Sequence, residues 1–238
     1  MSDAKWYKRW FSDLLKPTKR ADPAWPNWYR TYLAAFEQMP LYPEQLVSSV
    51  PLVVLDAETT GLDVRQDRIV SIGALSVLGN SIHLADKFEA YLPTPAASND
   101  TAAIIIHGIL PNSQRYSYTE APRLLSDLLG YLGTRPIVGH HIGFDVAMIN
   151  QSLARHGAGP LRNQVVDTAT LAQRLQPAGY WTSPEMYSLD TLAKRYRIPL
   201  SDRHTALGDC YITAVLWLKL LTRLAVRLDR DLRLADLP

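Results

Sequence analysis

Leu52-Val53-Val54-Leu55-Asp56-Ala57-Glu58-Thr59-Thr60-Gly61 is the stretch that decides the fold. Its first four residues form an uninterrupted apolar run with two β-branched members, the mark of a central strand buried on both faces. Two acids follow, one residue apart, and a glycine turn closes the stretch. Side chains two apart on a strand share a face, so Asp56 and Glu58 project together. Neighbouring carboxylates repel and require a cation or a shared proton. A divalent metal fits, since Mg²⁺ prefers oxygen ligands. Asp-x-Glu alone is common and is usually a solvated strand end; the apolar strand before it and the Gly turn after it raise its significance.

Outward from this strand the pattern continues as β and then becomes helical. Ile69–Leu78 and Ser81–Leu92 are strand-like runs, and the Gly79-Asn80 pair between them predicts a tight hairpin. Three consecutive antiparallel strands therefore open the region. Leu124, Leu125, Leu128 and Leu129 recur at helical spacing within Glu120–Leu132. Pro136–Val138 is a short strand, followed by a helix over Phe144–His156 that ends before Gly157. Val165-Val166 leads into a helix over Thr168–Leu175, and Ser188–Tyr196 and Thr205–Leu228 complete the set. A meander of strands followed by alternating strand and helix predicts a mixed α/β sheet with helices on its faces. No internal repeat and no low-complexity segment interrupts it.

Two further segments carry chemistry. In Gly139-His140-His141-Ile142-Gly143-Phe144-Asp145, a small polar turn leads to an acid near the start of a helix. A helix-initiating Asp favoured by the helix dipole explains it blandly; a third carboxylate delivered from a neighbouring strand end explains it functionally. His140 and His141 are read as structural. In His204-Thr205-Ala206-Leu207-Gly208-Asp209, an ideal helix would place the His and Asp side chains about 140° apart. They converge only if His204 sits in the loop before the helix. That arrangement suits a base beside a metal ligand, because His titrates near neutral pH; a surface His capping a helix is the plain alternative.

The series Asp56/Glu58, His141-x-x-Phe144-Asp145 and His204-x-Ala206-x-x-Asp209 resembles the DEDDh, or DnaQ-like, 3′–5′ exonucleases, which include the proofreading epsilon subunit of bacterial DNA polymerase III. Ile106-His107-Gly108-Ile109 is similar to the family's HGI segment, and Val166-Asp167-Thr168 to its strand-to-helix step. Ser188-Leu189-Asp190-Thr191-Leu192-Ala193, followed by Arg197-Ile198-Pro199, resembles its helix before the third motif. The likeness covers residues 51–222. Each motif is weak alone, and jointly they are specific. The resemblance implies a ribonuclease H-like fold and two-metal phosphodiester hydrolysis. Asp56, Glu58, Asp145 and Asp209 would hold two Mg²⁺ or Mn²⁺ ions, and His204 would take the proton of the attacking water. Thr59, Thr60 and His107 match positions near the 3′-terminal nucleotide, and Leu62 one that packs on its base. Two departures stand out. His141 replaces the family's usual Asn, and Gly208 replaces an acidic or polar residue, which predicts a looser helix start.

Residues 1–50 differ in character. They hold four of the six tryptophans (Trp6, Trp10, Trp25, Trp28) and a basic set, Lys5, Lys8, Arg9, Lys16, Lys19 and Arg20. Pro17, Pro23 and Pro26 punctuate two expected helices, 3–15 and 27–38. Trp28, Tyr32 and Phe36 form one apolar stripe on the second. An extension packed on its own domain is the first reading. A docking surface for a protein partner or nucleic acid is the second, since basic and aromatic residues together suit stacking and phosphate contact. The chain is thus expected to comprise a helical extension (1–50), an exonuclease domain (51–228) and a short tail (229–238) with no recognisable polymerase- or clamp-binding peptide. No signal peptide is visible. The late apolar stretch, 214–228, is interrupted by Lys219, Arg223 and Arg227, so no membrane span is expected.

The 238 residues carry 25 Lys and Arg against 23 Asp and Glu, a net charge of +2, which by itself argues against a strongly basic nucleic-acid binder. Setting aside the four acids assigned to metal raises the formal charge of the remainder from +2 to +6. An acidic pit in a basic body is compatible with a phosphodiester substrate. One cysteine, Cys210, excludes an intramolecular disulfide and a multi-Cys zinc cluster, and cytoplasmic residence follows as the default. The expected activity is release of nucleoside monophosphates from single-stranded or frayed DNA 3′ ends. An exoribonuclease or oligoribonuclease-like enzyme keeps the same chemistry, since the 2′-OH is read by pocket shape. An inactive binding module would have lost an acid or the base, and none is missing.

Overall fold

The computed structural model describes residues 22–94, 104–105, 107–110, 113–177 and 183–238. The expected helix over 3–15, with Trp6 and Trp10, lies outside them, as does Ile106 of the HGI segment. A five-stranded sheet organises the chain: β1 (Leu52–Thr59), β2 (Ile69–Leu78), β3 (Ser81–Tyr91), β4 (Ile137–Gly139) and β5 (Val165–Asp167). Their order across the sheet is β3-β2-β1-β4-β5. β1 to β3 form the antiparallel meander read from the hairpin signal, with Gly79 at φ 56° in the turn. β4 and β5 add in parallel on the other side of β1. This mixed sheet flanked by helices is the ribonuclease H-like arrangement.

Among the described residues six longer helices surround it: α1 (Asn27–Gln38), α2 (Ala121–Leu132), α3 (Gly143–Arg155), α4 (Thr168–Arg174), α5 (Leu189–Tyr196) and α6 (Ala206–Leu228). The alternation of β1 sorts them into two layers. Leu52 and Val54 point into a core with α4, α5 and α6, whereas Val53 and Leu55 point into one with α1, α2 and α3. Side-chain oxygens cap three helices: Asp167 accepts from Ala169 N (2.8 Å), Ser188 from Thr191 N (3.3 Å) and Thr205 from Gly208 N (3.1 Å). No helix among the described residues is long and apolar enough to cross a membrane.

β1 pairs with β2 as far as Thr59, with a bulge between Glu58 and Thr59, so Asp56 and Glu58 are strand residues, as their shared face requires. One detail departs from the sequence reading. Gly208 does not loosen α6. A Cβ there would stand 1.9 Å from the Asp202 carbonyl oxygen, so glycine lets the 202–205 loop press against the helix start.

Candidate active site

The parity that buries Leu52 and Val54 against α6 continues through Asp56 and Glu58. Both acids consequently face the helix that bears Asp209 in its first turn. Ligand oxygens of Asp56, Glu58 and Asp209 all lie within 4.8 Å of one another. The approach is close because Asp56 pairs with Gly73 on β2, and the backbone of Ala206 and Leu207 packs directly on that glycine. Asp145 arrives from the opposite layer, at the N-terminal turn of α3, and its Oδ1 accepts a hydrogen bond from Ala57 N (3.0 Å). It stands outside the tight trio and acts on it electrostatically.

Burial raises the pKa of all four acids, and neighbouring carboxylates add to it for Asp56, Glu58 and Asp145. Burial, then the charges of Asp145, Asp209 and Glu58, push Asp56 well above the usual carboxylate range. Glu58 rises to about 7 through burial and the charge of Asp209. Asp145 rises to about 7 through burial, against the backbone N–H donors that favour its charged form. Burial also raises Asp209, with Arg203 opposing. Arg203 is the residue the motifs did not single out. Its Nε binds Asp190 on α5 at 2.7 Å, and its Nη1 donates to Asp209 Oδ2. One guanidinium leaves the four carboxylates three charges in excess. Asp209 Oδ1 is buried without a hydrogen-bond partner. An unpaired buried oxygen beside two other converging carboxylates is a donor set suited to a hard divalent cation.

His204 occupies the loop before α6, as convergence requires, with φ at 65°. Arg203 Nη1 lies 3.4 Å from its Nδ1. Thr59 and Thr60 end β1 with their hydroxyls engaged in the turn: Thr59 donates to Gly61 O (2.8 Å) and Thr60 to Asp67 (2.7 Å). That bracing presents Leu62, which is 85% exposed. His107 is buried, and its Nδ1 accepts from Ile109 N (3.0 Å). His140 is structural: its Nδ1 lies 2.8 Å from Thr168 Oγ1, and burial drives its pKa down to about 3. His141 takes a positive φ of 54°, where the family's Asn is more at ease, and its N–H donates to Asp167 at 3.2 Å. Asp167 thereby fixes the turn that delivers Asp145. Arg203 and Asp167 were not identifiable as members of the site from sequence. The available signals were a cation next to the candidate base and an acid in the strand-to-helix step.

A ribonuclease H-like sheet with clustered carboxylates at the end of its central strand defines a nuclease. The chain matches the sequence profile of the exonuclease family RNase_T over residues 53–216 and belongs to that family; it is a DnaQ-like 3′–5′ exonuclease. It is 28% identical over 172 residues to the PolC-type DNA polymerase III of Staphylococcus aureus, which covers 72% of this chain and 11% of the polymerase. Escherichia coli exonuclease I in complex with an oligonucleotide superposes with a TM-score of 0.63 at 22% identity, over 76% of this chain and 43% of that one. Its product-bound form superposes at 0.61 with 20% identity, over 76% and 44%. The chain thus spans about a tenth of the polymerase and less than half of exonuclease I.

Proposed function

We propose that this exonuclease removes nucleoside monophosphates from the 3′ ends of single-stranded or frayed DNA, with two divalent ions, Mg²⁺ or Mn²⁺, as cofactors. The observation that carries the metal dependence is the convergence of Asp56, Glu58 and Asp209 around a buried, unpaired Asp209 oxygen. With Asp145 they would hold the ions, whose chemistry is Lewis-acid stabilisation of charge on the reacting phosphodiester oxygens. His204 accepts the proton of the attacking water as its oxygen bonds to phosphorus. The P–O3′ bond breaks, and the 3′-oxygen of the shortened strand takes up a proton. Leu62 offers an apolar face for the terminal base, and the 59–61 turn holds it in place.

DNA is preferred over RNA because the similar proteins named above are a DNA polymerase and an exonuclease solved with DNA. A nucleic-acid substrate and a single cysteine suit a cytoplasmic setting. The basic, Trp-containing segment before residue 21 is the stretch proposed for a protein partner, since residues 27–38 are engaged in packing.

The test is a 5′-labelled oligonucleotide incubated with Mg²⁺ or Mn²⁺, alongside a matched RNA. Stepwise shortening of DNA, abolished by EDTA and reduced at least about 10³-fold in Asp56→Ala, is expected. Cleavage that survives EDTA or Asp56→Ala overturns the metal reading, and faster cleavage of the RNA overturns the substrate. His204→Gln should lose about 10²–10⁴ in rate while Mn²⁺ binding, followed by electron paramagnetic resonance, persists.

A further inference from the structure

A second candidate site lies beyond the 60–68 loop and shares no residue with the acidic centre. It is a cavity of about 230 Å³. The buried side chains of Ile69 and Leu92, with Ala121 beside them, make an apolar floor, and Arg68, Arg155 and His156 stand at the rim. The two guanidiniums converge without an acid between them. Among the described residues no carboxylate lies within ion-pair distance of either, although Glu120 also lines the rim. Burial, and then the neighbouring Arg68 charge, hold the Arg155 pKa below its ordinary value.

Both arginines are fixed in place by the loop. Arg155 Nη2 donates to Arg65 O at 2.8 Å, and Arg68 Nη1 donates to Gln66 O and, at 3.1 Å, to Asp67 O. A guanidinium carries five N–H donors, so each retains several for an anion. His156 Nδ1 donates to Ser152 O (2.8 Å), which leaves its Nε2 open. The loop itself joins the two sites. Thr60 N donates to Arg68 O at 2.9 Å, so the turn that presents Leu62 on one side presents Arg68 on the other.

An apolar floor rimmed by two guanidiniums and an imidazole has the chemistry to hold a nucleotide unit. Base surface packs on apolar or aromatic groups, and phosphate on guanidinium. We propose that this cavity is a second nucleotide subsite, which holds an upstream nucleotide of the strand whose 3′ end lies in the acidic centre. The proposal rests on the exonuclease reading above.

The full-length protein is tested in EDTA, where no cleavage occurs, with 5′-fluorescent 12-mer and 3-mer DNA followed by anisotropy. In Arg68→Gln/Arg155→Gln the 12-mer should bind about tenfold more weakly. Loss of two phosphate contacts should also make its log K against log salt slope shallower by roughly 1.4. The 3-mer, too short to cross the loop, should bind as in wild type and, with Mg²⁺, be cleaved at the wild-type rate. Arg68→Lys/Arg155→Lys, which keeps the charges, should restore the salt slope, and thermal melting verifies the fold of each variant. Equal 12-mer affinity and slope in wild type and double Gln variant overturn the subsite while leaving the exonuclease reading intact. If deoxyadenosine monophosphate binding is lost in the variant while 12-mer binding is unchanged, the subsite serves the released monophosphate and the upstream-strand assignment is overturned. A wild type that neither binds nor cleaves any oligonucleotide overturns the exonuclease reading, and this inference with it.

Discussion

Glu58 and Asp145, both lifted to about 7 by burial and by neighbouring negative charge, make the protein's stability depend on pH in a direction opposite to that of salt-bridged acids. Their folded pKa values exceed the unfolded ones, 4.5 for the Glu and 3.8 for the Asp. Between those limits the native state binds more protons than the unfolded chain, so stability falls as pH rises through this window. The stabilisation present at low pH is fully lost above pH 7. In EDTA the melting temperature should therefore drop from pH 5.5 to pH 8 by several degrees, on the order of 5 °C. Added Mn²⁺ should stabilise more at pH 8 than at pH 5.5, because cations bind the ionised carboxylates. Glu58→Gln removes one of the repelling charges. It should flatten the EDTA profile and raise the melting temperature at pH 8, while activity falls by about 10³-fold. An EDTA profile that is flat in the wild type would count against the mutual repulsion of the four acids. Arg203 belongs to the same electrostatics: it ties Asp209 to Asp190 and offsets one charge of the cluster.

Where β1 and β2 meet α6, a single hydrogen atom sets the distance between the converging carboxylates. Gly73 stands opposite Asp56, and a Cβ on it would lie 2.6 Å from the Ala206 carbonyl carbon and 2.7 Å from Leu207 N. These are backbone atoms at the start of the helix that carries Asp209, so they cannot move aside independently. Gly73→Ala should displace the start of α6, with a cost of about 1–3 kcal/mol and a melting temperature lower by roughly 2–12 °C. Activity should fall about 10²-fold, as expected for an ångström-scale displacement of reacting groups. A wild-type rate in this variant would mean that the trio does not depend on this contact. The elements around the contact were legible in the sequence because their information is local. The 52–55 run, the Gly79-Asn80 turn and the leucine spacing of α2 all appear as short-range periodicity. The three acid-bearing segments were legible because their order and spacing together resemble those of the exonuclease family. Gly73, Gly208 and Arg203 were not, because their roles come from contacts that local periodicity does not encode. Gly73 meets residues 206 and 207, more than 130 positions away, and Gly208 meets the Asp202 carbonyl only once the loop has folded back.

Across the whole molecule, the described part of the N-terminal extension is bound into the fold on both faces of the sheet. On one face α1 buries Tyr29 and Tyr32; Tyr29 Oη donates to Pro160 O at 2.7 Å and Tyr32 Oη to Asn163 Oδ1 at 2.6 Å. The Tyr32 oxygen also accepts from Arg162 N (2.7 Å), and Asn163 Nδ2 reaches the carbonyls of Gly133 and Arg135. On the other face, Val47 N donates to Leu232 O, and Leu234 N and Ala235 N donate to Gln45 O and Pro43 O. Leu232, Leu234 and Leu237 are buried in the same core as α6, so the final residues pack rather than trail. The boundaries drawn from composition at residues 50 and 228 therefore separate differences of sequence character, and we propose that residues 22–238 melt as one unit. Tyr32→Phe tests this at one atom. It keeps the ring and removes the hydroxyl that donates to the buried Asn163 Oδ1, at about 1–3 kcal/mol for a buried polar group. At roughly 2–4 °C per kcal/mol for a chain of this size, the melting temperature should fall by about 2–12 °C in one cooperative transition. The rate constant below that transition should stay at the wild-type value, since no acid or His204 is touched. A separate low-temperature transition in the variant, or an unchanged melting curve, would instead make α1 an independent attachment.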